Sequence, residues 1–277
     1  MSVTTLTHDA REHPWIDAMW LQRAGMPAAA PQRILPDGAI DIIAFVHDTG
    51  RRLDGVELCL FGARERFEQV DVDSRFTLLG LRLRPGCAAS ALGLPARAIS
   101  GLTLPLGELG QRFISPFDRV HTARNVAELG AIMLQSCRAL QADHAARHPR
   151  HEARSQALVD HVLRCDGDVR LSTLTGCFPV SDRAARRNIE DIVGLAPKQL
   201  ARIARFQAAC RRLQFAPQQG LAQIAAACGY ADQAHMTREF TDLAGLTPGA
   251  LKSTLHVGRN IQEAAGDDAH TAAVRHC

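Results

Sequence analysis

The chain has 277 residues, with 32 Lys and Arg against 29 Asp and Glu and a formal net charge of +3. This length suggests one to two domains with ample material for a core, and the near-balance of charge excludes a bulk electrostatic drive to nucleic acid. No run of about eighteen or more apolar residues offers a membrane span, no basic-then-apolar leader opens the chain, and the cysteines stand singly without C-x-x-C or zinc spacing, so a cytoplasmic protein with reduced thiols is expected.

Met1 to Arg33 is mixed, and its Trp15 and Trp20 read as packing residues rather than a ligand box. Ile34-Leu35-Pro36-Asp37-Gly38 is turn chemistry. Ala39 to Val46 and Val56 to Phe61 are apolar runs of strand length separated by the turn His47-Asp48-Thr49-Gly50. Phe76 to Leu83 alternates as a third strand, with Arg82 and Arg84 expected to point outward. Ala88 to Leu92 reads as a short helix stopped by Gly93-Leu94-Pro95. Residues 1–145 are therefore expected to form a small antiparallel β barrel or sandwich with helices, acting as a sensor or dimerisation domain.

Asn125 to Asp143 carries an amphipathic helical stripe through Val126, Leu129, Ile132, Met133, Cys137 and Leu140. Residues 146–154 read as a polar linker. His144, His148 and His151 lack a carboxylate or Cys to complete a metal set, so no metal and no cofactor are expected. Ser155 to Arg164 opens the second half as a helix. That half is mildly basic where residues 1–140 sum to about zero.

Within 155–255 an all-α pattern repeats. In Gly220–Lys252, Leu221, Ile224, Ala225 and Cys228 give one helix an apolar face, and Gly229-Tyr230-Ala231 breaks it. Asp232 is an N-cap. Met236, Phe240 and Leu243 then bury one side of a second helix whose other side carries Gln233, His235, Thr237 and Arg238. Gly245 stops it, and Thr247-Pro248 restarts. About fifty residues upstream, Leu171–Lys198 repeats the unit: Leu171, Leu174 and Phe178, then Ser181 as cap, Arg183, Arg186 and Arg187 outward, and Gly194-Leu195-Ala196-Pro197 answering Gly245-Leu246-Thr247-Pro248. The two helix-turn-helix units, 171–190 and 221–241, are joined by 197–213. That connector has an apolar stripe through Leu200, Ile203, Ala204, Cys210 and Leu213 and reads as one helix.

These residues carry a resemblance. S-x-R-x-x-x-R at Ser181–Arg187, G-L-x-P-K at Gly194–Lys198, R-F-x-x-A at Arg205–Ala209 and G-Y-x-D-x-x-x-x-x-R-x-F at Gly229–Phe240 resemble the DNA-binding region of the AraC/XylS family of bacterial transcription regulators. The first unit departs from the family pattern at Pro179, Ala185 and Ile189. At lower specificity, R-I-L-P-D-G (Arg33–Gly38), L-R-L-R-P-G (Leu81–Gly86) and L-G-L-P (Leu92–Pro95) resemble the N-terminal domain of one branch of that family.

The resemblance implies an α+β protein whose β domain precedes an all-α double helix-turn-helix domain. It implies a sequence-specific regulator that reads two adjacent major grooves of double-stranded DNA. Arg183, Arg186, Arg187, Gln233, His235 and Arg238 would face DNA, and Thr237 would contact phosphate. It admits RNA polymerase, a second copy of the chain and an unidentified small-molecule effector as partners, with the stripe on Asn125–Asp143 either a dimer contact or a cover for the barrel. The tail 256–277 is polar and expected to lack order.

Other classes are weaker. A DNA-repair alkyltransferase would need a Cys cluster or an acceptor motif, and no Ser/His/Asp, paired-carboxylate or phosphate-loop signature occurs. A redox-responsive or protein-binding module would need a reactive Cys59, Cys87 or Cys137. Cys210 and Cys228 read as small buried hydrophobes.

Overall fold

Alternation along β4 (Ile40–Asp48) defines the centre of the N-terminal half. Ile40, Ile42, Ala44 and Val46 are buried on one side, and Asp41, Ile43 and Phe45 are half-buried on the other. That is the period-2 signature of a strand with two different faces. The computed structural model describes residues 3–6, 13–25, 31–50, 52–71, 73–147, 152–169 and 181–257. The expectations for the first helix of the upstream unit (Leu171–Phe178), for His148 and His151, and for the tail beyond Val257 lie outside these residues.

Strand β4 belongs to a six-stranded antiparallel sheet with β1 (Val3–Leu6), β2 (Ile16–Gln22), β5 (Leu53–Phe61), β7 (Thr77–Leu83) and β8 (Thr103–Pro105), in the order β1-β2-β7-β4-β5-β8. A second layer is the two-stranded ribbon of β3 (Gln32–Ile34) and β6 (Glu68–Val70). The texture of short apolar runs thus gives an antiparallel β domain, with the runs at Ala39 and Val56 lengthened into β4 and β5.

The inner face of the sheet packs against helices. α1 (Ala88–Leu92) spans the residues expected, and α3 (Val126–Arg147) follows the short α2 (Gln111–Ile114) and a 3₁₀ segment at Ser115–Thr122. Val126, Leu129, Ile132, Met133, Cys137 and Leu140 are all buried, and α3 lies on β7 and α1. Gly130 lets the helix approach: a Cβ there would stand 3.0 Å from the Met19 sulfur. The apolar stripe of α3 therefore covers the sheet, and a second copy would have to dock elsewhere. α3 and the other described helices include none long and apolar enough to cross a membrane.

The outer face corrects one expectation. Arg84 is exposed, donating to Pro14 O and pairing with Asp160 at 3.4 Å, but Arg82 is only 5% exposed. Alternation places Arg82 opposite Leu81 and Leu83 as read; that opposite face is roofed rather than solvated. β7 is a central strand covered on both sides, so every residue from Thr77 to Leu83 is buried. Arg82 is held by Asp37 (Nη1 to Oδ2, 2.8 Å) and Asp41 (Nη2 to Oδ2, 3.0 Å; Nε to Oδ1, 3.2 Å). Trp20 joins this network across Gly80. The glycine faces Trp20 in the register, and a Cβ there would stand 2.0 Å from the indole. The ring can therefore cross β7 and donate its N–H to Asp41 at 3.2 Å. Trp15 and Trp20 are both core residues, each 2% exposed.

Asp17, beside this network on β2, has its pKa raised to about 6 by burial, with Arg82 partly opposing the shift. A carboxyl raised in the folded state contributes stability below its unfolded value near 3.8, and that contribution is lost as pH rises through about 6. Asp17→Asn is therefore expected to stabilise the protein at pH 7.5 by about 3 kcal/mol, the rise from 3.8 to about 6 taken at roughly 1.4 kcal/mol per pH unit. The gain should shrink to a few tenths near pH 4. Urea unfolding at the two pH values checks this.

The C-terminal half is helical: α4 (Glu152–Arg164), α5 (Asp182–Val193), α6 (Pro197–Phe215), α7 (Leu221–Ala227), α8 (Gln233–Ala244) and α9 (Pro248–Val257). α4 fulfils the helix expected at Ser155–Arg164, and α6 runs one half-turn past the expected connector.

Candidate nucleic-acid interface

Local chemistry sets both ends of α8. Asp232 is extended (φ −160°), and its Oδ1 accepts the His235 backbone N–H at 2.6 Å, satisfying a free donor of the first turn. Gly245 ends the helix at φ 66°, in the left-handed region that glycine adopts without penalty. Met236, Phe240, Leu243 and Ala244 are buried, as is Glu239 at 8% exposure, while Gln233 and Arg238 are exposed. α7 lies against α8 across the Gly229 turn (φ 71°).

The upstream unit repeats this logic. Ser181 Oγ accepts the Ala184 N–H at 3.3 Å, and Gly194 closes α5 at φ 84°. Ala185, Ile189, Ile192 and Val193 are buried, leaving Arg183, Arg186 and Arg187 exposed on the other side. Like Arg238, these three guanidiniums pair with no carboxylate among the described residues. Arg66, Arg97, Arg202 and Arg211, by contrast, each do.

The connector α6 links α5 and α8 in one frame. Its 19 residues span on the order of 28 Å. Phe206 packs edge-on against Phe240 of α8, with ring centroids 4.8 Å apart. Arg202 forks onto two carboxylates of α8, Nε to Glu239 at 2.7 Å and Nη2 to Asp242 at 2.9 Å, while Nη1 donates to Gln199 at 3.0 Å. Burial opposes the charge of Arg202, but these bonds hold its pKa above the ordinary value.

Two expected residues have intramolecular duties. His235 is half-buried, stacks edge-on against Tyr230 at 5.5 Å and accepts the Ala231 N–H on Nδ1 at 3.3 Å, so it braces the turn. The Thr237 hydroxyl donates to Gln233 O at 2.9 Å within the helix. Gln233 and Arg238 remain the open polar groups of α8, and Arg183, Arg186 and Arg187 those of α5.

The sequence pattern does not show how α5 and α8 meet the N-terminal half. The carbonyls of Leu243 and Ala244 lack partners inside α8, as the last carbonyls of any helix do. Phe67 N–H donates to Leu243 O at 2.8 Å, and Arg33 Nη1 donates to Ala244 O at 2.6 Å, with the Arg33 guanidinium 4.4 Å from the Phe67 ring centroid. A cation at a helix C-terminus also complements its dipole. Arg66 pairs with Asp242 at 2.8 Å. At the end of α5, Arg97 pairs with Asp191 at 2.7 Å. The two G-L-x-P glycines serve these contacts too: a Cβ on Gly245 would stand 2.5 Å from the Phe67 ring, and one on Gly194 would stand 2.9 Å from Ala96 O. Both α5 and α8 thus dock by their C-terminal ends and leave their first turns open.

The chain matches two families. Residues 174–254 match the family described as "Helix-turn-helix domain", and residues 12–105 match "Domain of unknown function (DUF6597)". No curated protein matches. Among solved structures, the chain is similar to the C-terminal domain of AraT, a response regulator from Geobacillus stearothermophilus, at 20% identity over 44% of this chain and 98% of that one, with a TM-score of 0.35. It is also similar to ToxT from Vibrio cholerae at 11% identity over 94% of this chain and 100% of that one, with a TM-score of 0.41. With its capped and stopped helices over the matched residues, the helical half of the chain carries a helix-turn-helix domain at 174–254.

Proposed function

We propose that the protein recognises a specific operator by placing α5 and α8 in two successive major grooves on one face of the duplex. The observation that carries this is the set of exposed, uncommitted groups on the two reading helices: Arg183, Arg186 and Arg187 on α5, and Gln233 and Arg238 on α8. An arginine in the groove pairs bidentately with guanine O6 and N7 or holds a phosphate. The first-turn position of Gln233 suits a base edge. Thr237 contacts a phosphate only by turning its hydroxyl away from Gln233 O, and His235 acts mainly by setting the turn that aims α8. For both helices to enter one face, their spacing must match about one duplex turn, roughly 34 Å.

The N-terminal domain modulates this reading through the contacts that cap α8 and α5. A small-molecule effector would act there by changing how firmly the two halves dock. The redox alternative is disfavoured by the thiols: Cys137 is fully buried, and burial pushes both Cys137 and Cys59 up, away from the reactive thiolate.

Arg238→Ala tests the reading. Arg238 is exposed, so the fold should be unchanged, while affinity for a selected operator should fall roughly 5- to 150-fold, the equivalent of about 1–3 kcal/mol for a lost bidentate contact. Fluorescence anisotropy at fixed salt measures the loss. Unchanged affinity would remove Arg238 from the interface.

A further inference from the structure

Between the β3–β6 ribbon and the outer face of the sheet lies a cavity of about 340 Å³, at the small end of the roughly 300–1,000 Å³ that ligand pockets span. Its walls are apolar. Phe45 and Phe61 stand 6.3 Å apart, and Phe76 meets Phe45 edge-on at 6.2 Å. Ile43, Leu78 and Trp20 complete the sheet side.

The charged groups lining the cavity carry a negative excess. Arg82 answers two carboxylates, Asp37 and Asp41. At the rim, Arg64 is engaged by Glu68 at 2.7 Å, and Asp71 adds a further carboxylate. An anionic ligand would meet no uncommitted cation. A cationic ligand would meet the surplus carboxylate charge and three phenyl rings, whose π faces attract cations where they are presented.

We propose that this cavity binds a small apolar cation, an ammonium or amidinium on a ring or short hydrocarbon, and that the ribbon transmits its occupancy to α8. Gln32, Ile34, Glu68 and Val70 of the ribbon face the cavity. Arg33, within the same ribbon, and Phe67, at its edge, satisfy the last carbonyls of α8. A ligand that shifts the roof therefore changes the cap of a reading helix. The transmission rests on the reading of the chain as an operator-binding regulator; the site itself does not.

The test uses the full chain. Phenethylammonium, 3-phenylpropionate and 2-phenylethanol are titrated by calorimetry and by tryptophan fluorescence, since Trp20 lines the cavity. The ammonium is expected to bind saturably and at least about tenfold more tightly than the carboxylate. Phe76→Ala should weaken the ammonium several-fold; if that variant unfolds, the charge preference of the wild type still decides. Carboxylate binding as tight as the ammonium, or no saturable binding of any of the three up to about 10 mM, overturns the site. In the second arm, saturating ammonium should change affinity for a selected DNA fragment, and Arg33→Ala should erase that change. Ammonium binding with unaltered DNA affinity overturns the transmission. Ammonium binding by a protein that selects no DNA sequence overturns the regulator reading and leaves the site standing.

Discussion

Arg82→Leu is expected to destabilise the protein by about 3–5 kcal/mol, the cost of removing one partner from a buried ionic network. Burial alone would lower the pKa of this guanidinium, yet the fields of Asp37 and Asp41 drive it above the ordinary value. The two carboxylates therefore stabilise the charged form of Arg82. Leucine would remove the guanidinium that Asp37 and Asp41, with side chains 21% and 14% exposed, both pair with. Asp37 also fixes the Gly38 turn by accepting the Ala39 N–H at 2.9 Å. In turn, Pro36 O accepts from Gln207 of α6 at 2.7 Å, so the loss should spread to the domain contact. Adding Asp37→Asn and Asp41→Asn to Arg82→Leu should recover part of the stability, because uncompensated charge is the main cost. Urea unfolding measures both; a loss below about 1 kcal/mol for the single variant would contradict this account of the network.

Phe240→Ala should cost a similar amount, about 3–5 kcal/mol. Phe240 and Phe206 are each fully buried, and their edge-on contact is the apolar joint between connector and reading helix. Truncation leaves a cavity between two helices that cannot close without moving α8. DNA binding should therefore fall together with the thermal transition of the C-terminal half. That coupling separates Phe240→Ala from Arg238→Ala, which should lose affinity while melting as the wild type does. Circular dichroism melts beside anisotropy titrations distinguish the two. A Phe240→Ala protein with wild-type stability would contradict the packing role.

What the sequence made legible was local. The caps Ser181 and Asp232, the stops Gly194 and Gly245, and the buried positions Met236, Phe240 and Leu243 follow from spacing within one or two helical turns. α1 could be placed to the residue because Gly93 and Pro95 punctuate it. The failures share a different cause. Alternation marks Arg82 as outward because it reports which side of a strand a residue takes, not what covers that side; its cover comes from residues 32–34 and 68–70. The motif R-I-L-P-D-G reads from sequence as turn chemistry and as part of a resemblance, not as a contact to the helical half. Its Arg33 caps a helix 211 residues further along the chain, and its Asp37 pairs across the sheet. Arg202 could not be matched to Glu239, 37 residues away, since many carboxylates lie at comparable separations. Among the expected reading residues, His235 and Thr237 proved to be engaged within their own helix and turn, contacts that a polar-face pattern does not separate from contacts to DNA.

The central claim is that two reading helices, held by one connector, address one face of the duplex. Selection of bound fragments from a genomic library by the purified full-length protein at physiological salt tests it most directly. The account predicts a motif of two short blocks centred about ten base pairs apart. Weak, sequence-blind binding with a steep salt dependence, or a single block without a spaced partner, would contradict it.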